Sequence, residues 1–111
     1  MKTVFHLNLE ETAKKSELLG NIQNLIEDET VEVDEIAALL NANAVDMVKE
    51  GSGARKFLED FPEKVTFYAC SNSLENRDIS QDELIEGVKA VPSGVGKLNE
   101  LQENGFNYIK I

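Results

Sequence analysis

Lys64-Val65-Thr66-Phe67-Tyr68-Ala69-Cys70-Ser71-Asn72-Ser73 is the stretch on which the reading of this chain turns. Val65–Ala69 is short and rich in β-branched and aromatic residues, and it follows Pro62, so it predicts a strand. Ser71-Asn72-Ser73 has the composition of a turn and opens a predicted loop from Ser71 to Ile79. Cys70 therefore stands where a strand runs out. In open α/β folds chemistry gathers at the carboxyl ends of parallel strands. Cys70 is also the only cysteine in 111 residues.

Working outward, Lys2–Leu7 has the length and composition of a first strand. Ala13–Glu27 predicts a helix, with Leu18, Leu19, Ile22, Leu25 and Ile26 on one apolar face and Thr12 as N-cap. Thr30–Leu40 mixes two periods. Its Val-Glu-Val-Asp alternation predicts a strand to about Ala37, after which alanine and leucine favour helix. Ala42–Glu50 predicts a helix with Ala44, Val45 and Val48 inward, broken by Gly51-Ser52-Gly53. Ala54–Asp60 predicts a short helix that Pro62 cannot continue. Ser80-Gln81-Asp82-Glu83 has the form of a capping box, with Ile79 and Leu84 as a hydrophobic staple, so a helix is expected up to Gly87. Val88–Val91 predicts a short strand. Pro92 then starts a helix with Val95, Leu98 and Leu101 along one face, and Gly105 ends it. Phe106–Ile111 predicts the last strand. About five strands separated by helices imply a mostly parallel sheet covered on both faces, in one domain spanning residues 1–111.

The net charge of −10 disfavours nucleic acid, which needs Lys and Arg to displace counterions. An anionic membrane surface is disfavoured for the same reason. One cysteine makes no intramolecular disulfide and no cysteine-rich zinc site. Scattered Asp and Glu show no metal-ligand pattern. No basic-then-apolar leader and no membrane-length apolar run are present, so a cytoplasmic protein is expected.

Cys70 is the first candidate site residue. It reads either as a nucleophilic thiolate or as a small packed hydrophobe. The amides of Ser71, Asn72 and Ser73 would lower its pKa if they open a helical turn. His6, the only histidine, ends the first strand. If strands one and three are neighbours, it emerges beside Cys70 as a Cys–His pair; otherwise it is a hydrogen-bonded structural residue. Arg77 is either an anion holder near the thiol or a solvated loop charge. Asn72 and Ser73 either contact the sulfur or simply make the turn. Pro92-Ser93-Gly94-Val95-Gly96 lacks the full pattern of a phosphate loop and reads as a tight strand-to-helix turn. Asn8-Leu9-Glu10-Glu11 has two carboxylates and no glycine, which argues against flavin or dinucleotide phosphate after the first strand.

Four stretches, in order along nearly the whole chain, carry a resemblance. They are Val4-Phe5-His6-Leu7, Leu19-Gly20-Asn21-Ile22-Gln23-Asn24-Leu25, Phe67-Tyr68-Ala69-Cys70-Ser71-Asn72-Ser73-Leu74, and Val91-Pro92-Ser93-Gly94-Val95 on to Gly105-Phe106-Asn107-Tyr108-Ile109. Together they resemble the small, single-domain branch of the DsrE/DsrF-like family. The resemblance implies a three-layer α/β/α fold on a five-stranded parallel sheet, and assembly as trimers or hexamers. It also implies sulfur relay, in which one cysteine after a central strand carries sulfane sulfur as a persulfide. Cys70 holds the matching place. His6 matches a position that is often histidine in this branch.

Two functions are therefore expected. The first is a sulfur carrier that uses Cys70, with Asn72 and Ser73 around the persulfide, His6 or Arg77 assisting, and sulfur donor and acceptor proteins as partners. It needs no metal or organic cofactor. The second is a non-catalytic, oligomeric small-molecule-binding module in which Cys70 is structural. A flavin-binding redox protein comes third. In either main reading the edge at Phe106–Ile111 invites a neighbouring subunit.

Overall fold

The chain alternates strand and helix, and its apolar runs explain why. In the computed structural model, which describes residues 1–111, the strands are β1 (Lys2–Leu7), β2 (Glu35–Leu40), β3 (Val65–Cys70), β4 (Lys89–Val91) and β5 (Phe106–Lys110). The helices are α1 (Thr12–Glu27), α2 (Arg55–Glu59), α3 (Ser71–Asn76) and α4 (Gly94–Glu103). All four strand pairings are parallel, in the order β4-β3-β2-β1-β5. Helices cover both faces, which makes the three-layer α/β/α fold expected from the sequence.

The two faces are covered unequally. Phe5, Leu7, Ala38, Leu40, Phe67 and Ala69 point to one side, where α1 and the residues between β2 and β4 build a core of 19 buried residues. Val4, Ala37, Leu39 and Val91 point to the other, where α4 alone supplies Leu98 and Leu101 to a core of six. The alternation of side chains along each strand separates these two sets.

Several local expectations are corrected. The second strand is Glu35–Leu40 rather than Thr30 to about Ala37, and the Ala-Leu run ends it instead of starting a helix. As a central strand between β1 and β3 it is buried on both faces, so it reads as a continuous apolar run with no alternation. Ala42–Val48 is a 3₁₀ segment rather than an α-helix, although Ala44, Val45 and Val48 are buried as expected. The helix expected after Ser80 shrinks to one 3₁₀ turn, Gln81–Glu83, with the Glu83 carboxylate accepting from the Ser80 amide at 3.2 Å. Glu11, not Thr12, precedes α1 as its cap residue. The last helix starts at Gly94 rather than at Pro92, and Ser93 caps it, its hydroxyl accepting from the Gly96 amide at 3.1 Å. Val95 is turned outward and is 64% exposed.

The most consequential correction follows Cys70 directly. Ser71–Asn76 is helix α3, not loop. Ser-Asn-Ser has turn chemistry, but Leu74 buries itself in the larger core and draws the segment into helical register. Cys70 becomes the cap residue of α3, with extended backbone at φ −70° and ψ 120°.

Candidate functional site

Where strand order and helix placement cross, the fold opens a crevice. The chain leaves β3 into α3, which packs against the larger core, and leaves β4 into α4, which packs on the opposite face. Segments that leave two adjacent strand ends for opposite faces part from one another. Ligands of open α/β sheets bind at such switch points, outside the carboxyl ends of the strands. Cys70 closes β3 there and pairs in register with Val91 of β4.

Cys70 is buried, with 6% exposure. Burial is the largest single influence on its thiol and pushes the pKa up. The Ser73 amide, the Ser73 hydroxyl, and the amides of Gly94 and Asn72 oppose it, and together they hold the thiol below its ordinary value. The groups that lower it are amides and a hydroxyl rather than a cation. Ser73 is oriented for this role. Its oxygen accepts from the Ala42 amide at 2.8 Å, which leaves its own hydrogen free for the sulfur. Ala42 makes that contact from a left-handed backbone at φ 52°, unusual for a residue with a Cβ. Asn72 is exposed and acts on the thiol through its backbone amide.

Gly94 brings the start of α4 against the thiol. A Cβ built there would lie 3.2 Å from Cys70 Cβ, 3.2 Å from Leu39 Cδ1 and 3.4 Å from Asn41 Cβ. Glycine is thus required for close approach, since a side chain would push α4 away from the sulfur. Beside it lies a shallow crevice of about 370 Å³, lined by Val91, Pro92, Ser93, Gly96, Lys97 and Glu100. The Lys97 ammonium is engaged elsewhere: it stacks 4.7 Å over the Tyr68 ring and pairs with Glu100 at 2.9 Å, and it is not among the groups that set the acidity of Cys70. A larger groove of about 670 Å³ runs between α1 and α2, on the other face of the sheet, and Cys70 does not line it.

His6 and Cys70 do not form a pair. β2 lies between their strands, so the neighbour relation on which the pair depended is absent. His6 is buried, and both ring nitrogens are occupied. Nε2 meets Asn41 Oδ1 at 2.9 Å, and Nδ1 meets the Tyr108 hydroxyl at 2.6 Å. With Asn41 Oδ1 accepting, Nε2 carries the hydrogen and Nδ1 accepts from Tyr108. That is the neutral ring. Burial, the largest influence, favours it by lowering the His6 pKa, and nearby Lys110 lowers it further against the Asn41 hydrogen bond.

Arg77 is placed elsewhere. Its guanidinium forms a two-pronged pair with the Asp46 carboxylate, one prong at 2.7 Å, and it ties the end of α3 to the 3₁₀ segment. It is not among the groups that set the acidity of Cys70.

Sequence reasoning missed three residues of the site: Asn41, Tyr108 and Gly94. Ending the second strand at Ala37 hid Asn41. With β2 read to Leu40, Asn41 falls at a strand end beside Cys70. Gly94 was visible as part of a turn, but its contact with the thiol depends on α4 crossing to the far side of the sheet.

These features describe an α/β protein with an acidified thiol at the switch point of a parallel sheet. The sequence matches the DsrE/DsrF-like family over residues 34–111, and the chain belongs to that family. No curated protein matches it. Among solved structures it is similar to a protein of unknown function from Methanobacterium thermoautotrophicum. The two share 29% sequence identity and a TM-score of 0.90, over 99% of this chain and 98% of the other. No helix is long and apolar enough to cross a membrane.

Proposed function

We propose that this protein is an intracellular sulfur carrier that holds sulfane sulfur on Cys70 as a persulfide. One observation carries the reading: the only thiol lies at the β3/β4 switch point, under donors that favour its anion. Membership of the DsrE/DsrF-like family, which is associated with sulfur relay, supports it. In loading, the Cys70 thiolate attacks the outer sulfur of a donor hydropersulfide. A new S–S bond forms, the donor's S–S bond breaks, and the donor thiolate leaves with the electron pair. Release to an acceptor thiolate is the same exchange with Cys70 as leaving group. Neither step needs an external oxidant or reductant, and donor and acceptor proteins are the natural partners. Intact mass spectrometry after incubation with glutathione hydropersulfide tests this. Wild type should gain one reducible sulfur and Cys70→Ser none. Equal gain on both, or none on wild type, ends the reading.

The 6% exposure of Cys70 favours a second reading, a binding module with a structural cysteine. Native-state thiol titration separates the two. A carrier labels quickly at mildly acidic pH, whereas a packed cysteine labels only as denaturant is added.

Assembly as a trimer or hexamer is part of both readings. β5 is an edge strand, and it leaves Tyr108 41% and Ile109 42% exposed. Light scattering that finds only monomer at micromolar concentration would refute assembly.

A further inference from the structure

The face of the sheet under α4 carries a row of polar side chains that runs to the thiol. Val4 of β1 pairs with Tyr108 of β5, and His6 lies two residues further along β1. Leu40 of β2 pairs with Ala69 of β3, so Asn41 and Cys70 are the next residues of neighbouring strands. By the two-residue period Tyr108, His6, Asn41 and Cys70 all face α4. The first three are joined by the hydrogen bonds at 2.6 Å and 2.9 Å. Asn41 and Cys70 meet at Gly94, whose missing Cβ would touch both.

This row is poorly suited to moving protons. Both nitrogens of His6 are occupied, and a carboxamide is neither acid nor base near neutral pH. It is well suited to aiming a dipole. Asn41 Oδ1 is held toward β1 by His6, and Nδ2 makes no hydrogen bond within the protein. As no buried polar side-chain atom lacks a partner, Nδ2 reaches solvent and is free to donate. Asn41 and Cys70 present their Cβ atoms to the same point beside Gly94, so the free amide end of Asn41 is a donor carried next to the thiol. A persulfide anion there needs such a donor. The chain carries a net charge of −10, and no cation supports the Cys70 sulfur.

We propose that Asn41 donates a hydrogen bond from Nδ2 to the outer sulfur of the Cys70 persulfide, with His6 and Tyr108 as the positioning residues that aim it. The inference rests on the sulfur-carrier reading and identifies what recognises the anionic cargo. Neighbouring strands are about 4.8 Å apart, and a second sulfur extends Cys70 by about 2 Å, so the outer sulfur comes within hydrogen-bond reach of the carboxamide. Once loaded, the Cys70 hydropersulfide releases its proton to solvent, and the charge left on the outer sulfur faces Asn41.

The test loads wild type, Asn41→Ala, Asn41→Asp, Tyr108→Phe and the Asn41→Ala/Tyr108→Phe double variant with glutathione hydropersulfide. Intact mass gives the loaded fraction, and the pH dependence of the persulfide absorbance gives its ionisation constant. Asn41→Ala should weaken ionisation about tenfold, the scale of one hydrogen bond to a charged group. Asn41→Asp should weaken it further by like-charge repulsion. Tyr108→Phe should act in the same direction by about two- to threefold, and add nothing in the double variant, because its effect passes through Asn41. That lack of additivity separates positioning from general loosening. Should Asn41→Ala fail to fold, Tyr108→Phe alone decides, since Tyr108 stands at a partly exposed edge. Loaded variants whose persulfide ionises as in wild type overturn the inference and leave the carrier reading intact. A wild-type protein that takes up no sulfur overturns both.

Discussion

The two faces of the sheet divide the work. The face under α1, α2 and α3 holds 19 core residues, and none of the groups around the thiol belongs to it except Ser73 and its neighbours on α3. The face under α4 holds six core residues, and it also carries Cys70, Asn41, His6 and Tyr108. One ten-residue helix cannot cover five strands, so polar and aromatic side chains finish the surface it leaves. Most of the packing lies on the thick side, and the proposed chemistry lies on the thin one. The boundary is the crevice between β3 and β4, where the chain changes sides.

The largest expected effect would break this comparison directly. Leu18, fully buried on the thick side, should cost about 3–5 kcal/mol as Leu18→Ala. Leu98, with 8% exposure on the thin side, should cost nearer 2 kcal/mol as Leu98→Ala, because a less enclosed site relaxes more easily. Urea unfolding of both variants checks this, and equal losses would remove the asymmetry. Ser73→Ala comes next, as it acts across the boundary. Losing the acceptor for the Ala42 amide should cost about 1 kcal/mol, and losing the hydroxyl donor should raise the thiol pKa. The pH dependence of alkylation reads the second effect, and an unchanged midpoint would show that Ser73 does not support the thiolate.

A smaller effect isolates His6. Its folded pKa lies below the ordinary value of 6.5, so the unfolded chain binds the proton more readily. Its contribution to stability is complete above about pH 6.5 and is lost as pH falls through the folded pKa. Urea midpoints between pH 7.5 and pH 5, to be measured, should fall in wild type and fall less in His6→Gln; parallel slopes would count against a neutral buried ring. The smallest expected effect returns to the thick side. Gly20 lies inside α1, and a Cβ there meets nothing within 4 Å. Gly20→Ala should therefore stabilise the protein by about 0.5–1 kcal/mol through helix propensity alone. A loss of stability would mean that the open groove beside Gly20 is needed by the fold.

Much of this architecture was legible in the sequence. The strand–helix alternation defined the α/β class, because each element announces itself through a local period. The position of Cys70 at a strand end was readable in the same way. β2 was harder, since a strand buried on both faces has no alternation to distinguish it from a helix, and its true end at Leu40 hid Asn41. α3 was harder still: Ser71-Asn72-Ser73 speaks for a turn, and only the burial of Leu74 against the larger core makes it helical.

The sequence by itself determined the elements, the lone thiol and where it stands along its strand, for these depend on residues a few positions apart. Only the tertiary structure decided which strands are neighbours. That order placed β2 between His6 and Cys70, joined His6 to Tyr108 over an interval of 102 residues, and sent α4 to the face where Gly94 meets the sulfur. The physical reason is that strand order is settled by pairing and burial between distant segments, and local periodicity carries no record of which distant segment will win.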